Sequence, residues 1–315
     1  MAAALAASTV AGLAVAGCAA PGGRAPVDRP AASTGGAPGP TATASPSGAA
    51  TATLLAAGDI ASCDSSGDEA TAALLDRVDG VVATLGDHAY PDGSGADFAR
   101  CYAPGWGRHR GRTRPAPGNH EYHTPGARAY FDYFGPAAGH PARGYYGYDL
   151  GAWHVVVVNS NCAAVGGCHA GSPQHRWLRA DLAGSRARCT LAYWHHPLFS
   201  SGAVHSGSTE IRPIFQALYD AGAELVLSGH NHQYERFAPQ APNGRADPAR
   251  GIRQFVVGTG GASHYRFGAV RANSQARDAT SYGILRLTLR PTGYDWRFLP
   301  ALTGRAGDTG SQPCH

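Results

Sequence analysis

Five short segments offer side chains that bind metal ions: Gly58-Asp59, Gly86-Asp87-His88-Ala89-Tyr90, Gly118-Asn119-His120-Glu121, His195-His196-Pro197 and Gly229-His230-Asn231-His232. Carboxylate, phenol and carboxamide oxygens together with imidazole nitrogens are the donors that hard and borderline cations take. One such segment alone says little, because a Gly-Asp pair is usually a turn and a single strand-end His is usually a satisfied polar residue. Five in succession, four of them behind runs that read as strands, point to one site assembled from several strand ends. The chemistry such a site suits is metal-assisted hydrolysis. A cation held by such donors lowers the pKa of bound water and so provides a nucleophile near neutral pH, with no covalent protein nucleophile.

The elements that must carry these ligands are short apolar runs alternating with helical patterns. Residues 53–57, 81–85, 153–158, 190–194 and 225–227 predict strands, and 255–257, 284–289 and 294–299 predict closing β structure. Between them, residues 68–77 bring Ala72, Leu75 and Val78 near one face, and 173–182 and 211–221 show similar spacing, which predicts helices. The fold class is therefore α/β, a layered sheet protein. Gly258-Thr259-Gly260-Gly261 lacks the Lys of a GxxxxGK[ST] phosphate loop and reads as a tight turn at the mouth of the cleft.

The ordered set GD, GDxxY, GNHE, HHP and GHNH resembles the calcineurin-like metallophosphoesterases from about Leu54 to Leu299. Many members of that superfamily carry DxH in the first motif, whereas Asp59-Ile60-Ala61 has no His at the third place. Tyr90 stands three residues after Asp87, as in the GDxxY motif of purple acid phosphatases, where a phenolate supplies the ligand that the missing His would give. The run from Gly229 to Arg236, GHNHQYER, extends the likeness to that branch. The resemblance implies the metallophosphoesterase fold, a layered β-sandwich flanked by helices, with a dinuclear metal site at the C-terminal ends of strands.

On the same resemblance, Asp59, Tyr90 and His232 hold the first metal, Asn119, His195 and His230 hold the second, and Asp87 bridges them. His195 rather than His196 aligns as the ligand, because the family's His stands two residues before Pro; the role of His196 stays open. A phenolate suits Fe(III), while imidazole and amide oxygen suit a divalent partner, so the implied cofactors are Fe(III) plus Zn, Fe or Mn. His120 is expected to steady the phosphoryl group or protonate the leaving oxygen. His205, in a Gly- and Ser-rich loop ten residues after His195, is expected to contact substrate. The implied activity is acid-phosphatase-like hydrolysis of phosphate monoesters, acting on a small phosphorylated substrate. A phosphodiesterase with the same ligands, or a phosphate-binding lipoprotein without turnover, are the alternatives. Two departures stand out: Glu121 replaces the more usual Asp of the GNH motif, and the extra β domain of large plant-type members is expected to be missing before Asp59.

Composition and cysteines describe the setting. No Lys occurs and the 26 basic residues are all Arg, scattered singly at a net charge of +4, which leaves no basic track for nucleic acid as a specific partner. His109, His123, His140, His169, His175 and His264 fall outside every ligand motif, and most of them are expected on the surface. Residues 1–18 read as a signal peptide: the apolar run 2–17 is too short to span a bilayer, and Val15-Ala16-Gly17-Cys18 is lipobox-like, although no basic residue precedes the run. A lipid on Cys18 would be the chain's only link to a membrane. Residues 19–50, nearly all Ala, Gly, Pro, Ser and Thr, read as a disordered tether, and 51–315 as the catalytic domain. The expected location is outside the cell, as a surface lipoprotein or a secreted protein. Six further cysteines in an exported chain predict disulfides, with the pairing Cys162–Cys168, Cys63–Cys101 and Cys189–Cys314 taken from proximity and from where the segments should lie.

Overall fold

A computed structural model of the chain describes residues 50–302 and 306–315; the expected signal peptide with Cys18, and the tether up to residue 49, lie outside the described residues. Two sheets form the body. The first contains β1 (Ala52–Ala57), β2 (Val81–Thr84), β3 (Thr113–Pro115), β11 (Gly283–Arg290), β12 (Gly293–Pro300) and β13 (Thr309–Pro313), in the order β13-β12-β11-β1-β2-β3. The second contains β4 (Tyr146–Leu150), β5 (Trp153–Val157), β6 (Cys189–Tyr193), β7 (Leu225–Ser228), β8 (Tyr234–Phe237), β9 (Arg253–Val257) and β10 (Ser274–Asp278), in the order β10-β8-β9-β7-β6-β5-β4. Within them β1, β2 and β3 run parallel to one another, as do β5, β6, β7 and β9.

Side-chain alternation explains the layering. Trp153, Val155 and Val157 of β5, Leu191 and Tyr193 of β6, and Leu225 and Leu227 of β7 point into one core with Leu54, Leu285 and Leu287 of the first sheet. Their neighbours Val156, Ala192, Val226 and Val256 face the other way, into a second core under helices α4 (Pro173–Gly184) and α5 (Arg212–Asp220). A strand buried on both faces has no polar side to show, which is why these runs are apolar throughout. Helix α1 (Gly67–Leu75) covers the first sheet through Ala72 and Leu75. Three predicted helices and all eight predicted strand runs are present within a residue or two of their expected ends.

The two sheets meet at their carboxyl ends. Beyond β1, the Gly58 amide donates to the Val257 carbonyl at the end of β9 (2.9 Å), and the Gly260 amide donates back to the Gly58 carbonyl (2.9 Å). The loops that leave β1, β2, β3, β6 and β7 are thereby gathered at one seam beside the turn after β9, and the five ligand-type segments lie along it. Three disulfides, Cys63–Cys101, Cys162–Cys168 and Cys189–Cys314, match the pairing expected from the sequence. The last of these ties the end of the chain to the start of β6.

Candidate metal centre

Seven side chains named from the sequence converge in two overlapping groups. In the first, the Tyr90 hydroxyl lies 3.1 Å from Asp59 Oδ1, 3.1 Å from His232 Nε2 and 3.2 Å from Asp87 Oδ2. In the second, His195 Nε2 lies 3.0 Å from Asn119 Oδ1, 3.1 Å from His230 Nδ1 and 3.2 Å from Asp87 Oδ2. Asp87 belongs to both. Its Oδ2 is the atom shared between them, which is the position a bridging carboxylate needs.

The ring orientations fit ligands. His195 donates from Nδ1 to the Leu85 carbonyl (2.8 Å) and His232 donates from Nδ1 to the Ser263 carbonyl (2.5 Å), so in both rings the Nε2 lone pair faces the group. Lone pairs of imidazole, carboxamide and carboxylate therefore point at one another at about 3 Å, with too few protons to pair them. Such a convergence of acceptors is repulsive by itself and is relieved by a cation, and the donor set suits one hard and one borderline ion.

Electrostatics show the same demand for positive charge, which a proton on His195 meets when no cation is present. Burial works against charging His195, yet the Asp87 and Asp59 carboxylates and the Leu85 carbonyl outweigh it and hold its pKa up at about 9. Burial likewise opposes ionisation of Asp87, but His195 and His120 overcome it and leave the carboxyl well below its ordinary value. The Tyr90 phenol is pushed well above its ordinary value by burial and by Asp87 and Asp59, so a phenolate there requires positive charge close by. His230 is lowered by burial and by the neighbouring His195, which keeps it neutral and its lone pair free.

Backbone geometry fixes the ligands before any ion binds. Asp59, Asp87 and His230 each sit in the left-handed region, at φ 59°, 53° and 70°, a conformation that costs a residue with a Cβ about 1–3 kcal/mol. Each is held by hydrogen bonds: Asp59 Oδ2 accepts the His230 amide (2.8 Å) and Asp87 Oδ1 accepts the His120 amide (2.9 Å). Glu121 does more than the sequence suggested. Fully buried, its carboxylate accepts the amides of Asp87 (2.9 Å), His88 (2.8 Å) and Gly118 (2.6 Å), and so ties the second ligand loop to the third. Gly118 itself is required by closeness, since a Cβ there would meet Asp87 Oδ1 and the Asp87 amide nitrogen.

The other named histidines surround this pair of groups. His120 contacts the Pro91 carbonyl through Nδ1, its ring lies 4.5 Å from that of Tyr90, and its Nε2 is 3.8 Å from Asp87 Oδ2. His205 stacks on His230 with ring centroids 4.1 Å apart. His196, whose role the sequence left open, lies against the second group, its ring 4.4 Å from that of His230. Burial and the adjacent His195 lower its pKa to about 3. Tyr265, which carried no sequence signal, stacks on His232 at 3.9 Å and 9°. At the glycine-rich turn the amides of Gly258 and Gly260 are spent on the Gln233 and Gly58 carbonyls, consistent with a tight turn. A Cβ on Gly258 would come within 2.6 Å of Asp59 Oδ2.

Comparison with known proteins places this geometry. The sequence profile described as calcineurin-like phosphoesterase matches residues 52–234. Purple acid phosphatase 22 of Arabidopsis thaliana is 33% identical over 126 residues, which cover 37% of this chain and 27% of that protein. The acid phosphatase of Aspergillus ficuum is 31% identical over 159 residues, 43% of this chain and 26% of that protein. The chain thus spans about a quarter of the length of these curated relatives. Among solved structures, purple acid phosphatase PPD1 from yellow lupin seeds superposes with a TM-score of 0.67 at 17% identity, covering 85% of this chain and 54% of that one. GAP50 of Plasmodium, described as the anchor in the inner membrane complex, superposes with a TM-score of 0.65 at 14% identity, covering 84% and 89%.

Proposed function

The chain belongs to the calcineurin-like phosphoesterase family, and from that premise we propose that it is a metal-dependent phosphoric ester hydrolase of the purple acid phosphatase kind, acting on phosphate monoesters. The fold alone does not carry this reading, since the same fold serves a protein described as an anchor. What carries it is the pair of donor groups sharing Asp87 Oδ2, with every ligand position of the purple acid phosphatase pattern filled. Asp59, Tyr90 and His232 would hold one ion, Asn119, His195 and His230 the other, and Asp87 both. Two cations held there supply a nucleophile derived from water near neutral pH and neutralise the phosphoryl oxygens.

The chain's own residues do the rest. His120 Nε2, 3.8 Å from the shared Asp87 oxygen, is at the edge where a leaving oxygen would lie, and His205 lies over His230. In the reaction the oxygen of water joins phosphorus, the bond from phosphorus to the alcohol oxygen breaks, and the alcohol oxygen gains a proton, which His120 is placed to deliver. Tyr90, as an anionic oxygen donor, favours Fe(III) in the first position, with Zn, Fe or Mn in the second. Six cysteines in three disulfides fit an oxidising compartment, and no helix among the described residues is long and apolar enough to cross a membrane. On this reading it is an exported enzyme, a surface lipoprotein or a secreted protein, that takes small phosphorylated substrates and has no nucleic acid as a specific partner, and a lipid on Cys18 would be its one link to a membrane.

The test is hydrolysis of an aryl phosphomonoester and the corresponding bis-aryl diester by the full chain supplied with iron and zinc, beside the Asp87→Asn variant. A monoester preference lost in the variant supports the proposal. A diester preference reassigns the same ligands to a phosphodiesterase, and absence of turnover on both, with phosphate binding retained, makes the chain a binding protein.

A further inference from the structure

A cavity of about 340 Å³ opens beside the second donor group. Its walls come from the segments that flank the site: Tyr122, two residues after His120; Ala163 and Ala164 of the short turn closed by Cys162–Cys168; and Ser208 and Glu210, just beyond His205. His196 belongs to both places. It lines the cavity, and its ring lies 4.4 Å from that of His230 and 4.9 Å from that of His195.

The His196 ring is fixed in one orientation. The Ser160 hydroxyl accepts the His196 amide (3.0 Å) and lies 2.8 Å from Nδ1. Nδ1 is thereby held by Ser160, and Nε2 has no protein hydrogen-bond partner among the described residues. The character of the remaining wall is equally clear. Ala163, Ala164 and the Tyr122 ring are apolar, and the one charged side chain lining the cavity is the exposed carboxylate of Glu210.

We propose that this cavity is the leaving-group subsite, taking the alcohol portion of a phosphomonoester that is compact and uncharged or cationic, with anionic alcohols discriminated against by Glu210. This rests on the hydrolase reading above. Its position follows from direction: a phosphoryl group seated between the two donor groups has His120 and His205 on its flanks, and the cavity framed by the segments after those two residues is where the ester oxygen's substituent can extend. With Nδ1 held by Ser160, His196 Nε2 is the ring nitrogen left for an oxygen at the junction between phosphoryl group and alcohol. The volume accommodates a group of several heavy atoms, within the lower range of ligand sites, and the absence of Arg from its lining gives a second phosphate or a carboxylate no guanidinium to pair with.

The test compares kcat/KM for choline phosphate, 3-phosphoglycerate and ethyl phosphate in wild type, Glu210→Arg and Ala163→Trp. Glu210 and Ala163 are both exposed, so neither substitution disturbs a buried contact. Wild type is expected to favour choline phosphate over 3-phosphoglycerate. Reversing the charge of Glu210 should shift that ratio about three- to tenfold toward 3-phosphoglycerate, the size of a charge interaction near a protein surface. Ala163→Trp, which fills the cavity, should cost choline phosphate at least tenfold more than ethyl phosphate. If both variants move all three substrates in parallel while wild type hydrolyses them, the subsite is overturned and the hydrolase reading stands. If wild type hydrolyses none of the three, the hydrolase reading falls and the subsite falls with it.

Discussion

Removing the Glu121 carboxylate should unlock the ligand loops. Its two oxygens hold three backbone amides at 2.6–2.9 Å, on both sides of the shared ligand: Asp87 and His88 from one loop, Gly118 from the other. Glu121→Ala strands those three donors in a buried site, and with each costing about 1–3 kcal/mol and some relaxation, the loss is about 3–6 kcal/mol. For a folded body of this size that is a fall in Tm of about 6–24 °C. Glu121→Gln keeps the shape but turns an amide NH2 toward at least one of the same N–H groups, so about 1–3 kcal/mol is expected. A pH signature separates this role from generic packing. Burial would raise the Glu121 carboxyl, but His88 and the backbone donors outweigh it and leave it below its ordinary 4.5. A depressed carboxyl gives stabilisation that is complete above 4.5 and is lost as pH falls through the lower folded value. The Gln variant should lack that acid limb. Because Asp87 rests on Glu121 in a strained conformation, both variants should also lose bound metal, read by elemental analysis of protein purified in parallel. A Glu121→Ala protein within 2 °C of wild type, with full metal content, would refute the reasoning.

Four further outcomes follow from the same contacts. Gly118→Ala should abolish two-metal occupancy while leaving the disulfide-bonded body folded, since its Cβ meets the shared Asp87 carboxylate; normal metal content would contradict this. Tyr90→Phe should remove long-wavelength absorbance from protein purified from iron-replete cells, and a colourless, iron-free wild type would overturn the assignment of iron. Opening Cys189–Cys314, which closes a separation of 125 residues, should cost about 3–5 kcal/mol, measured by urea unfolding of the double Cys→Ala variant. His154, bonded to Asp181 (2.7 Å) and Asp149 (2.9 Å), has its pKa raised by the Asp181 bond against burial, with Asp149 adding to it. A raised histidine stabilises fully below its ordinary 6.5, and that contribution is lost as pH rises through the higher folded value, so His154→Gln should flatten the alkaline fall in Tm; curves parallel to wild type from about pH 5 to 9 would count against it.

The strands that sequence patterning missed share a cause. Residues 113–115, 146–150, 274–278 and 309–313 are β3, β4, β10 and β13, the four edges of the two sheets. An edge strand earns its place by backbone pairing on one side and leaves much of its side-chain surface in water, so Ser274–Asp278 and Thr309–Pro313 carry no run of large apolar residues. The fifth, Tyr234–Phe237, lies inside the stretch read as a ligand motif, and its Glu235 is buried against Ser201 and Ser274 rather than solvated. Central strands buried on both faces were legible because nothing but continuous apolar sequence satisfies such a position.

The ligand types were legible for a different reason from the support beneath them. A ligand is specified by the chemistry of its own side chain, so Asp59, Asp87, Asn119 and His232 announce themselves wherever they fold. Support is relational. That Asp59 Oδ2 holds the His230 amide 171 positions away, or that Glu121 reaches three amides in two loops, depends on which strand ends the sheets bring to the seam. The left-handed conformations at Asp59, Asp87 and His230 show why that support matters. Placing glycine at those points would relax the backbone but delete the ligand, so strain accompanies the chemistry and must be offset by hydrogen bonds from neighbouring loops. The carboxylates therefore serve twice, one oxygen turned to the donor groups and the other to a backbone amide: Asp59 by Oδ1 and Oδ2, Asp87 by Oδ2 and Oδ1. An Asp→Asn change at either position turns one of those oxygens into an NH2, so it must either weaken the ligand or set a donor against the amide, and the two functions cannot be separated by substitution at these sites.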